Sequence, residues 1–169
     1  MGKGREIRSF DYVNRPYEDV HEYLKRDALG VFQRATRSAS ARSEAVAAAL
    51  KVSIGAIEMA ADISVSVKKV EQSPGGAGSQ PISLVELEWE AARTPWLFPL
   101  MRAELRVYPL TATETQIDFS GHYKPPLGLV GSAADAVLGH RIAEATVHRF
   151  VTDVASYLRK AIVKGSSES

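Results

Sequence analysis

The chain contains no cysteine. Disulfides, thiolate metal sites and a cysteine nucleophile are therefore excluded together, and the absence suits a reducing compartment. No uninterrupted apolar run approaches the roughly 20 residues that a membrane-spanning helix requires. Met1–Ser9 carries charges without an apolar stretch, unlike a secretory signal. An excess of one charge is missing too: 21 basic residues stand against 20 acidic ones, for a formal net charge of +1. No global field draws nucleic acid, and no long basic run is present. The expectation is a cytoplasmic protein without a nucleic-acid partner. There is also no Gly-x-Ser-x-Gly elbow for a nucleophilic serine. Gly75-Gly76-Ala77-Gly78 lacks the lysine and following helix of a phosphate loop and reads as a flexible turn.

What is present is an ordinary globular composition, 45% hydrophobic and 24% charged over 169 residues. That is enough apolar surface to offset chain entropy, at a length that fits one domain. Glu6–Val13 reads as a first strand, with Phe10 and Tyr12 on one face and Arg8 and Asp11 interleaved. Asn14-Arg15-Pro16 marks a helix start, because proline tolerates the first turn. Val20, Tyr23 and Leu24 then define a short amphipathic helix over Pro16–Lys25. Val31, Phe32 and Ala35 define a second over about Ala28–Ser38. From Val46 the period moves toward two, with Leu50, Val52 and Ile54 apolar.

Alternation is clear in Ile63, Val65 and Val67, which face away from Asp62, Ser64, Ser66 and Lys68. Ser73–Pro81, rich in glycine, serine and proline, reads as a hairpin loop. The next strand sets Val85, Leu87, Trp89 and Ala91 against Glu86, Glu88 and Glu90, the glutamates being a solvated face. Two further strands carry Ala103, Leu105 and Val107, then Ile117, Phe119, Gly121 and Tyr123, inward, with Thr111–Thr115 as the turn between them. Pro125-Pro126 ends the last strand, since proline cannot donate to a ladder. About Leu127–Val163 reads as one long helix with a bend at Gly139. Every strand has one apolar face, and the terminal helix is the element long enough to cover them. Residues 1–164 form a single domain in this reading and 165–169 a disordered tail. The fold class is α+β: a curved antiparallel sheet around a long C-terminal helix, with two short helices after the first strand.

The chain resembles the START-like (SRPBCC, helix-grip) superfamily over essentially its whole length. The likeness rests on three stretches: Phe10–Leu24, where a strand leads through Pro16 into a short helix; Phe119-Ser120-Gly121-His122-Tyr123-Lys124-Pro125-Pro126-Leu127-Gly128; and Arg141-Ile142-Ala143-Glu144-Ala145. It implies a cavity between sheet and helix, lined by Ile63, Val65, Trp89, Leu105, Val107, Phe119 and Tyr123, in place of a filled core. That superfamily includes carriers, cyclases, hydrolytic enzymes and sensors, so fold analogy does not select among them.

His140 shares a helix face with Ala136, Ala143, Val147, Val151 and Val154, and Glu144 lies one turn on. An imidazole beside a carboxylate can orient a ligand or act as an acid–base; a structural histidine satisfied by Glu144 explains the same pattern. His140, Glu144 and His148 invite a metal reading, but the series rotates around the helix and lacks a fourth ligand, so no metal and no cofactor are expected. His21 and His122 read as exposed. Trp96-Leu97-Phe98, between two prolines, reads equally as a pocket lid, an interaction surface or a loop folded over the core. The expected function is binding of a small apolar or amphipathic, lipid- or polyketide-like molecule, oriented by His140 and Tyr123. Two alternatives stand beside it: a polyketide cyclase-like enzyme with His140 as acid–base, and an interaction protein with a vestigial pocket. A homodimer is left open.

Overall fold

A computed structural model describes residues 5–49, 63–91, 101–123 and 133–163. Its elements are β1 (Arg5–Val13), α1 (Tyr17–Ala49), β2 (Ile63–Ser73), β3 (Ile82–Ala91), β4 (Met101–Pro109), β5 (Thr115–Tyr123) and α2 (Ala133–Ala161). The strands form one antiparallel sheet in the order β1-β5-β4-β3-β2, curved around the two helices. The Lys124–Gly128 stretch, the Trp96 loop, Leu50, Val52 and Ile54, and the 165–169 tail lie outside the described residues.

Alternation does what it should in β3, β4 and β5. Val85, Leu87, Trp89, Leu105, Val107, Ile117, Phe119 and Tyr123 are buried, and Glu86, Arg102, Arg106 and His122 are exposed. In β1 the phase is the reverse of the expected one. Ile7 and Val13 are buried, whereas Phe10 is 65% and Tyr12 49% exposed. Register decides this. Phe10 pairs with Asp118 and Tyr12 with Gln116, both on the outer face of β5, and a one-residue shift would turn every β5 side chain around. In β2 the register slips between Val67 and Lys69. That bulge puts Val70 opposite Val85 and Gln72 opposite Ser83, so the inner face continues past two lysines. The hairpin that follows needs Gly75, at φ +76°, because a Cβ there would meet the Ser79 carbonyl oxygen at 2.6 Å.

The two expected N-terminal helices are joined into α1, with Asp27 (φ −145°, ψ 42°) as the break between them. The Asp27 carboxylate accepts the Gly30 N–H at 3.2 Å and so starts the second half. That half runs on to Ala49, so Val46 is helical and the expected change of period there is corrected. Residues 39–49 are rich in alanine, whose intrinsic preference favours continuation of the helix. Glu18 and Asp19 in the first turn complement the helix dipole, as Arg159 and Lys160 do in the last turn of α2. α2 is helical straight through Gly139, in place of the expected bend.

Two helices, not one, cover the inner face. Phe150 of α2 is the hub. Its ring lies 4.6 Å from Trp89, edge-on, 5.9 Å from Phe119 and 6.0 Å from Phe32 of α1. One side chain thereby joins both helices to β3 and β5. Along the seam, Arg149 Nε donates to Ser38 Oγ and to Asp153 Oδ2, each at 3.0 Å, and Arg34 stacks 4.7 Å over the Tyr157 ring.

Arg15 locks the two ends of the fold together. Its Nε donates to the Ile162 carbonyl at 2.7 Å and its Nη2 to the Arg159 carbonyl at 2.6 Å, satisfying the open end of α2. Arg159 Nη2 returns a bond to the Tyr12 carbonyl at 2.8 Å. Arg15→Ala is expected to lose about 1–2 kcal/mol of stability. Chemical unfolding measures the loss, and an unchanged midpoint would show that the clamp is redundant.

Candidate functional site

The register arranges the inner face in rows that run across the sheet. One end row is Arg5–Tyr123–Met101–Trp89–Val65, and the next is Ile7–Gly121–Ala103–Leu87–Val67. Then come Ser9–Phe119–Leu105–Val85–Val70 and Asp11–Ile117–Val107–Ser83–Gln72. The two middle rows are apolar apart from Ser9, and the two rows that flank them carry polar groups. At two residues per row and about 3.3 Å per residue, the flanking rows stand roughly 20 Å apart.

At the Tyr123 end, α2 brings His140 over the sheet. The Tyr123 hydroxyl is 3.3 Å from His140 Nδ1, and the two rings lie nearly parallel at 6.3 Å between centroids. His140 Nε2 is 3.1 Å from Glu144 Oε1, one helical turn on. Arg5 hydrogen-bonds the same phenol oxygen. Burial pushes the Tyr123 pKa above the ordinary phenol value, with Arg5 opposing, so the hydroxyl keeps its proton in neutral solution. The His140 side chain is 33% exposed, which leaves this end in reach of solvent. Two places along the row, the Trp89 ring is buried against Phe119 at 5.7 Å. Its indole N–H has no hydrogen-bond partner among the described residues. Gly121 carries no side chain in the second row, and the Phe119 ring and Met101 sulfur occupy the space a Cβ would take.

The opposite end is sealed. His21, which reads as exposed from sequence, is 5% exposed in the fold. Its Nδ1 is 2.7 Å from Ser83 Oγ, and Ser83 shares a second hydrogen bond with the Tyr17 hydroxyl at 2.8 Å. Gln72 Nε2 donates to that hydroxyl at 3.3 Å. Tyr17 and His21 stack at 5.8 Å. The sequence carried half of this signal, since Tyr17, Val20, His21 and Leu24 share one helical face. The partner, Ser83, is 62 residues away and only the fold supplies it.

Most residues named from sequence thus meet on this surface. Val65, Trp89, Leu105, Val107, Phe119, Tyr123 and Val147 are buried. Ile63 sits opposite Ala91 in β2. His140 and Glu144 adjoin Tyr123, while His148 is exposed and turned elsewhere. Among the described residues no group of three His, Cys, Asp or Glu is placed to hold a metal, and no helix is long and apolar enough to cross a membrane. Sequence reasoning missed Phe150, the hub of the aromatic cluster, although it stands one helical turn beyond Thr146 and beside Val147 and Val151.

The outer face holds a shallow depression of about 930 Å³ bordered by alternating charges. Arg102 and Lys68 both approach Glu88, and Arg106 pairs with Glu104 at 2.6 Å. There the Tyr108 hydroxyl donates to Asp118 Oδ2 at 2.7 Å. Burial first, then this bond, push its pKa up to about 12. Ultraviolet titration is expected to show one tyrosine ionising near pH 12. Asp118→Asn should bring it partway down, because the charge and the strong acceptor go while the burial stays. A phenol unaffected by that change would disprove the pairing in solution.

No family model and no curated protein matches the chain. Solved structures do. The Zhui aromatase/cyclase of Streptomyces sp. R1128 superposes with a TM-score of 0.52 at 11% identity, covering 96% of this chain and 98% of that one. The protein TTHA0849 of Thermus thermophilus gives 0.50 at 13% identity, covering 94% and 100%. A START superfamily protein of Mycobacterium smegmatis gives 0.47 at 8% identity, covering 94% and 99%. The first two span both chains almost end to end at identities where only architecture is shared. With the strand order, the curved sheet and the C-terminal helix described above, they show that the chain has the α+β helix-grip fold.

Proposed function

We propose that the protein binds a small hydrophobic or amphipathic molecule, lipid- or polyketide-like, in an internal cavity between the inner sheet face and α2. One observation carries this reading: at the end that solvent reaches, three hydrogen-bonded polar groups, Tyr123, His140 and Glu144, converge on the margin of an apolar surface. Apolar walls with a few convergent polar groups are the usual composition of small-molecule sites. The walls would be Ile63, Val65, Leu105, Val107, Phe119 and Val147, and the Trp89 indole N–H, without a partner among the described residues, would gain an acceptor from the guest. Burial would supply the affinity, at about 25 cal/mol per Å² of apolar surface, and the polar row the orientation.

A second reading is favoured by the hydrogen-bonded order of the same three groups. A carboxylate, an imidazole and a phenol in sequence can move a proton, and one structure with this fold is named an aromatase/cyclase. In that reading His140 is the acid–base, and Tyr123 becomes a hydrogen-bond donor to substrate when a proton on His140 Nδ1 occupies the bond between them. Native mass spectrometry of freshly purified protein should reveal a co-purified small molecule. His140→Ala then separates the two readings: a carrier loses a modest factor in affinity, whereas an enzyme loses turnover of that molecule. A chain that arrives empty and binds no apolar probe would refute both.

A further inference from the structure

We propose that Glu144 is a positioning residue that makes Tyr123 a hydrogen-bond acceptor, so that the pocket selects neutral apolar molecules carrying a hydroxyl group. The inference rests on the pocket reading above. A carboxylate oxygen only accepts hydrogen bonds, so Glu144 Oε1, 3.1 Å from His140 Nε2, holds the ring proton on Nε2. In the neutral ring Nδ1 is then a bare acceptor. The Tyr123 hydroxyl, 3.3 Å away, must donate to it. A guanidinium only donates, so the Arg5 bond to the same phenol oxygen agrees with that direction. Every link runs one way, from Arg5 to Tyr123, from Tyr123 to His140 and from His140 to Glu144.

The phenol proton is therefore committed, and Tyr123 presents a lone pair to the pocket. A guest hydroxyl can donate to it. An ether or a carboxylate there would set oxygen against oxygen without a proton between them. Glu144 is 58% exposed and acts through His140. Without it the ring is free to carry its proton on Nδ1, which would donate to Tyr123 and turn the phenol O–H toward the guest.

Isothermal titration of the full chain with 2-naphthol, 2-methoxynaphthalene, naphthalene and 2-naphthoate tests this. The expected result is that 2-naphthol binds about ten-fold tighter than 2-methoxynaphthalene. Tyr123→Phe should abolish the difference, and Glu144→Ala should shrink or invert it. Long-range proton–nitrogen NMR, recorded where the ring is neutral, should show His140 as the Nε2–H tautomer, with Glu144→Ala shifting it toward a mixture. Four probes bound alike, tightest binding of 2-naphthoate, or an Nδ1–H tautomer in the unmodified chain would overturn the selection and leave the pocket standing. Failure of all four to bind would overturn the pocket and the selection together.

Discussion

Trp89→Ala is expected to cost about 3–5 kcal/mol in urea unfolding. For a chain of this size that is a fall of roughly 6–20 °C in melting temperature. The indole is 2% exposed and touches a ring from β5 and a ring from α2 at once, so no single neighbour can move in to fill the void. The fully buried side chains around it keep their own positions, and interiors at native density relax only in part. Trp89→Phe should cost less than half as much. It keeps most of the hydrocarbon and removes a donor that has no partner among the described residues. Added indole should restore part of the stability lost by the alanine variant, since an apolar void of that shape accepts an aromatic guest. An alanine variant within about 1 kcal/mol of the parent would mean that the aromatic cluster does not hold the two helices to the sheet.

The sealed end of the inner face gives the second large effect. Ser83→Ala is expected to cost about 2–3 kcal/mol, because two buried groups lose a partner at one stroke. Ser83 is 1% exposed, and its hydroxyl is bonded to both Tyr17 and His21. After the change, His21 Nδ1 faces a methyl group, and Tyr17 keeps only the longer bond from Gln72. A double-mutant cycle with Tyr17→Phe separates the network from the packing. The two losses should fall short of additivity by about 1 kcal/mol, as expected for members of one hydrogen-bond network. Strict additivity would show that the serine serves each neighbour independently.

The alternation of Val85 to Trp89 and of Ile117 to Tyr123 was plain in the sequence because each of these stretches has apolar residues in one phase only. β1 has them in both: Ile7 and Val13 in one phase, Phe10 and Tyr12 in the other. The aromatic pair has the greater bulk, yet the partner strand sets the phase, and that partner is more than a hundred residues away. The same limit hid the bulge at Lys68 and the serine that satisfies His21. The His140–Glu144 pair was readable because both members lie one turn apart on one helix, and Tyr123 because its strand was unambiguous. The continuation of α1 to Ala49 was readable from alanine preference, but periodicity alone pointed elsewhere.

The pairing of β1 with β5 also bears on how the chain matures during synthesis. Val13 pairs with Thr115 and Arg5 with Tyr123, so the first strand is made long before its only ladder partner among the described residues. At about 5–20 residues per second, the ribosome leaves that strand waiting on the order of 5–20 s. Throughout that interval Ile7 and Val13 have no sheet to join. The nascent Arg5–Val13 segment is thus open to chaperones and to premature association during that interval.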